Sequence, residues 1–201
     1  MNIKKLYYYH RKLARLKAWY FLIPAVLFAV FAIQGLRGNY ATMVSLREAV
    51  YVADQQNGDV EGALTQLRAH VYSHMNTDLA SGSNPIHPPI QLKARYERLA
   101  AAEEERVKAL NTEVSATGAR VCAQQFPSEG YNAPRVACIQ DYVAANAAKT
   151  THIPEQLYKF DFLSPNWSFD KAGVSILLSI VFFVLFIARL LLEYYLRRKI
   201  Q

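Results

Sequence analysis

His70 and His74 stand four residues apart with Asp78 four further on, so on one continuous helix all three would project from a single stripe. Two imidazoles and a carboxylate at that spacing are a ligand set for zinc or another transition metal. No glutamate follows His70, as a metalloprotease helix would require, although His87 in the following break could add a ligand. The three positions also flank an apolar face, where half-exposed polar side chains ordinarily fall. The expectation is therefore a polar boundary with no metal and no cofactor, and a metal-binding envelope protein using His70 and His74 is the alternative. No glycine-rich phosphate loop, nucleophile elbow or paired-carboxylate pattern is present, which predicts a protein that is not an enzyme.

Cys122 and Cys138, the chain's two cysteines, each lie eight residues from Gly130. If two antiparallel helices reverse there, equal distance from the turn places the sulfurs at one level. A disulfide would then close a loop of about 15 residues, worth about 3 kcal/mol in the chain-entropy model, and would persist in an oxidising compartment. Two buried free thiols, or a bond to another chain, are the other outcomes the spacing allows.

Two apolar runs must carry these groups. Residues 18–36 and 172–192 each approach the about 20 residues that a helix needs to cross about 30 Å of hydrocarbon. Lys4, Lys5, Arg11, Lys12, Arg15 and Lys17 precede the first run, and Arg197, Arg198 and Lys199 follow the second. Because Lys and Arg resist translocation, both termini are expected in the cytoplasm and residues 37–171 outside it. That middle segment holds 13 basic and 15 acidic residues, a balance of −2 beside +7 for the whole chain, so the surplus charge belongs to the ends and nucleic acid is not an expected partner. The long basic stretch before the first run argues for a retained anchor over a cleaved signal peptide. Leu6, Tyr9, Leu13, Leu16 and Tyr20 recur at helical spacing among the lysines and arginines, as in a helix lying at a lipid surface. Trp19 and Trp167 suit the aromatic belts, and Arg189 is placed to snorkel towards the headgroups.

The middle segment reads as helices. Met43, Leu46, Val50 and Ala53 mark one face, Asn57-Gly58-Asp59 a stop and a start with Gly58 in the left-handed conformation, and Val60, Leu64, Leu67, Val71, Met75 and Leu79 the next face. Gly82, Pro85, Pro88 and Pro89 break the chain before a long third helix, about 90–125, with Leu92, Tyr96, Leu99, Val107, Leu110, Val114 and Val121 on its stripe. Its Glu103-Glu104-Glu105-Arg106 run reads as a solvated face. A fourth helix starts near Pro134, and 150–171 turns to a period of two at Tyr158, Phe160 and Phe162, a strap returning to the second span.

The predicted fold is thus all-α. A cytoplasmic basic segment (1–17), two transmembrane helices (18–36 and 172–192) and a basic tail (193–201) frame an extracytoplasmic helical-hairpin or bundle domain (37–171) whose long third helix suits a coiled-coil arm. The stretches Leu46-Arg47-Glu48-Ala49-Val50, His70-Val71-Tyr72-Ser73-His74-Met75-Asn76 and Tyr158-Lys159-Phe160-Asp161-Phe162-Leu163-Ser164-Pro165 resemble an uncharacterised family of two-span envelope proteins from reduced-genome bacteria. That resemblance implies a bacterial plasma-membrane setting and no activity. The sequence reading favours an anchored interaction or scaffold protein of a cell-envelope assembly, in contact with membrane lipid and with a protein partner or further copies of itself. A two-span ligand-sensing receptor acting through a separate partner is the alternative.

Overall fold

The computed structural model describes residues 8, 17–83, 86, 88–127, 130 and 132–200, with side chains to 198. Lys4, Lys5, Arg11, Lys12 and Arg15, most of the stripe from Leu6, His87 and the Lys199 side chain lie outside the described residues. The fold is helical: α1 (Trp19–Gln55), α2 (Val60–Ser73), α3 (Lys93–Gln125), α4 (Ala133–Asn146) and α5 (Lys171–Ile200), with two-residue strands β1 (Ile90–Gln91) and β2 (Lys159–Phe160). Its contacts divide it into two units, each discontinuous in sequence. One takes the residues up to 52, 59–90 and those from 161, and the other 53–58 with 91–160.

In the first unit, α1 and α5 are long and apolar enough to cross a membrane, and their most apolar windows are only 17% and 6% buried. A core helix of comparable hydropathy would be mostly covered, so these side chains face outward. What is covered on each helix is a narrow stripe. Ala25, Ala32, Gly35, Met43 and Val50 on α1, and Ala172, Ser175, Arg189 and Leu196 on α5, recur near the 3.5-residue period of packed helices. Small residues let the backbones approach: a Cβ built on Gly35 would lie 2.8 Å from Ala172 Cα. Deeper in the pair, Ser179 Oγ donates to the Ala25 carbonyl at 2.9 Å and the Phe28 and Phe182 rings stack at 5.8 Å. Arg189 is 9% exposed and pairs with Glu193, one turn away on the same helix, at 3.2 Å.

The apolar run 18–36 and the helix expected from Met43 are one element, since α1 runs unbroken through Gly35 and Gly38. It ends where expected, but Asn57, not Gly58, takes the left-handed conformation (φ 53°), and Gly58 N–H reaches back to the Ala53 carbonyl at 2.8 Å. Asparagine tolerates that region, and the bond closes the helix as a Schellman turn. Asp59 then caps α2 by accepting from Gly62 N–H at 2.8 Å. Val60, Leu64, Leu67 and Val71 of α2 are buried as patterned. The helix stops at Ser73, earlier than the apolar pattern suggests. Met75, in a turn, and Leu79, on extended backbone, are nevertheless buried: Leu79 and Phe162 exchange N–H···O bonds of 3.0 and 3.1 Å in an antiparallel bridge.

The second unit is a helical hairpin with a returning strap. Its register is symmetrical about Gly130, which has φ 86°. Cys122 and Cys138 are at disulfide-bonding distance with Cα atoms 5.9 Å apart, and one turn down Gly118 leaves room for the Tyr142 ring, which a Cβ there would meet at 2.8 Å. Two turns further, Asn111 and Ala148 exchange side-chain to backbone bonds of 3.2 and 2.7 Å. The covered line of α3 therefore runs through Asn111, Val114, Gly118 and Cys122, while Leu110 and Tyr96, expected on the stripe, are exposed. A slim partner helix selects small and polar residues at the seam over bulky apolar ones. Asn132 caps α4 by accepting from Arg135 N–H at 3.3 Å, with Pro134 in the first turn.

Candidate functional site

At the C-terminus of α2, His70 and His74 stack with ring centroids 4.3 Å apart. His70 Nε2 meets the Asn39 carbonyl at 3.0 Å and His74 Nδ1 the His70 carbonyl at 3.0 Å. A carbonyl only accepts, so each of those nitrogens carries a proton and is spent on backbone. Asn39 Nδ2 in turn donates to Asp170 Oδ2 at 2.6 Å and to the Met75 carbonyl at 3.3 Å, and Met75 N–H donates to Ser168 Oγ at 3.1 Å. Asp170 also caps α5 through Gly173 N–H at 2.9 Å. Burial pushes the Asp170 carboxyl up, but Gly173 N–H, the Asn39 amide, the Ser168 hydroxyl and His74 outweigh it and hold it below its ordinary value. The result is a polar clamp joining α1, the end of α2 and the start of α5.

Asp78, the third member of the sequence triad, is not part of that clamp. His74 has extended backbone (φ −127°, ψ 133°) and Asn76 a positive φ of 61°, so the chain has left the helix two residues before Met75's successor turns. The Asp78 carboxylate accepts instead from Ala80 N–H at 3.1 Å and Ser164 N–H at 3.4 Å. Burial raises its pKa; the Ser83 hydroxyl and those two amides lower it further, so the net direction is down. Among the described residues no group of three or more His, Cys, Asp or Glu side chains is arranged to hold a metal ion.

The second unit contains a site that the sequence reading passed over as a solvated face. Glu103 takes both Nε and Nη2 of Arg106 at 2.7 Å, and the same carboxylate accepts Thr151 N–H of the strap at 2.7 Å. These donors, Arg106 first, lower its pKa from 4.5 to about 2. Beside this anchor an open groove of about 620 Å³ lies between the strap and the α3 face carrying Tyr96, Ala100, Glu103 and Glu104. A second hollow of about 330 Å³ lies on the Arg106 and Leu157 side. The Glu103 and Arg106 spacing was legible as an i,i+3 pair; the strap that turns it into an anchor was not.

Of the residues read as interfacial, Trp19 is half exposed at the start of α1 and Trp167 is 38% exposed before α5. Lys17 is exposed, and Arg197 pairs with Glu193 at 2.7 Å with Arg198 exposed beside it. Phe169 is 93% exposed two residues before α5. Comparison with protein-family models, with curated proteins and with solved structures finds no match to this chain.

Proposed function

We propose that this chain is a plasma-membrane interaction protein, anchored by α1 and α5 with both termini in the cytoplasm, whose second unit serves as an extracytoplasmic arm in a bacterial envelope assembly. The observation that carries the reading is the economy of that arm. Its α4 has no fully buried side chain, its α3 buries only Gly118 and Cys122, and Leu110, Phe126 and Val136 remain exposed. A paired cysteine bridge and two asparagine bonds do in the arm what an apolar interior does in a globular domain, so its larger apolar side chains remain available to a partner or a second copy. The resemblance to two-span envelope proteins belongs to the same reading.

Orientation and partnership are tested together. Single cysteines at Asn2, Ser83 and Gln201, in a background without Cys122 and Cys138, are expected to react with an impermeant maleimide in intact cells at Ser83 alone. Copurification in mild detergent is expected to yield a stoichiometric partner or an oligomer that the Leu110→Glu/Val136→Glu variant loses. Labelling at either terminus overturns the topology, and a monodisperse monomer overturns the scaffold reading.

The receptor reading draws on a different observation, the clamp of Asn39, His70 and Asp170. It ties the end of α2 to α1 and to the start of α5, so a ligand that rearranged it would move the spans. A tightly held small molecule in the purified protein would favour sensing over assembly.

A further inference from the structure

The groove on the second unit lies where Ala100 interrupts a helical face. Tyr96, Ala100 and Glu104 follow one another at intervals of four, so a methyl group stands between an aromatic ring and a carboxylate, and the strap residues Thr151 and Ile153 wall the gap. Its charge is one-sided. Glu104 is exposed and makes no ion pair or hydrogen bond among the described residues. Glu103 keeps its charge but gives it to Arg106, which lines the neighbouring hollow and not this groove. Of the basic side chains only His152, and no Lys or Arg, lines the groove itself.

We propose that this groove binds an alkylammonium group, its methylenes against Ile153 and its charge over Ala100, between the Tyr96 ring and the Glu104 carboxylate. The chain already uses this combination nearby. The Lys159 ammonium sits 5.5 Å from the centroid of the Tyr158 ring and pairs with Glu155, and Tyr158 packs against Tyr96 with centroids 4.8 Å apart. A ring face and a carboxylate attract an ammonium additively, by the quadrupole and by net charge, whereas an anion gains from neither. The same chemistry is offered by a free polyamine and by a lysine side chain of a partner, and the proposal does not depend on the scaffold reading.

Calorimetric titration of the full chain in mild detergent tests it, with spermidine as one probe and a doubly blocked Gly-Lys-Gly peptide as the other. Saturable heat with spermidine alone assigns a free polyamine, and with the peptide a side chain of a polypeptide; either supports the site. Glu104→Gln is expected to weaken binding about fivefold, from the loss of one exposed charge contact. Ala100→Leu, which fills the gap from an open face, is expected to abolish it while helix content and the Cys122 to Cys138 crosslink persist. Glu105→Gln, outside the groove, is the control for general acidity. Absence of saturable heat with both probes overturns the proposal, as does equal weakening by Glu104→Gln and Glu105→Gln.

Discussion

The Asp54 carboxylate, in the last turn of α1, accepts Arg98 Nη2 at 2.9 Å, and Arg98 Nη1 donates to the Asp54 carbonyl at 2.8 Å. The other carboxylate oxygen takes Ala94 N–H at 3.0 Å. Leu92, the residue before α3, has no side-chain acceptor to offer, so Asp54 caps that helix from 40 positions away in sequence. The Asp54→Ala variant is expected to lose about 1–3 kcal/mol, less than for a fully buried pair because Arg98 is 37% exposed and water can take over its charge. Chemical denaturation reads the loss, and an unchanged midpoint would remove Asp54 from the stabilising set.

Gly35 and Ala172 set the closeness of the two long apolar helices. Gly35→Leu must displace the Ala172 backbone, for which small-to-large changes in packed seams cost about 1–3 kcal/mol. Cysteines placed at Ala25 and Ser179, whose backbone and side chain hydrogen-bond across the seam, are expected to crosslink in the parent and to do so much less with Gly35→Leu. Undiminished crosslinking would show that α1 and α5 do not meet there.

The hairpin register makes a covalent prediction. Peptide mapping of unreduced protein is expected to recover Cys122 joined to Cys138 within one chain, and the Cys122→Ser/Cys138→Ser variant to lose about 2–4 kcal/mol while remaining helical. The loss should concentrate in α3 and α4, whose mutual interior is thin, and amide exchange would locate it. Readily alkylated thiols in protein isolated without reductant would refute the pairing.

Glu103 imposes a pH dependence on the strap. Its pKa is depressed from 4.5 to about 2 by Arg106 and Thr151 N–H, so the unfolded or detached state binds the proton more readily. Its stabilising contribution is therefore complete above about 4.5 and is lost as pH falls from there through about 2. Exchange protection of the Thr151 amide is expected to decline across that window in the parent, and to be low and flat with pH in Glu103→Gln. A parent profile as flat as the variant's would remove the anchor.

Much of this architecture is readable from residues alone because it is local. Long apolar runs, the Asn57-Gly58-Asp59 junction and a cysteine pair equidistant from a glycine all state their consequence within one or two elements, where spacing along the chain is spacing in space. The stripe through Val60, Leu64, Leu67 and Val71 is legible for the same reason: it stays within one helix.

Tertiary structure decided what those elements do to each other. Periodicity reports which face of a helix is apolar, but not what stands opposite, so Leu110 reads as covered and is exposed, while Asn111 and Gly118 read as outliers and form the seam. Nor can it report a helix that stops while burial continues, which is how Asp78 parted from His70 and His74: the Leu79 bridge to Phe162, 83 residues away, holds extended backbone where the local pattern was helical. Glu103 is a surface charge by composition and an anchor only because residue 151 returns to it. Hydrogen bonds and close packing act over a few ångströms of space, and the chain alone does not say which distant residue will occupy that space.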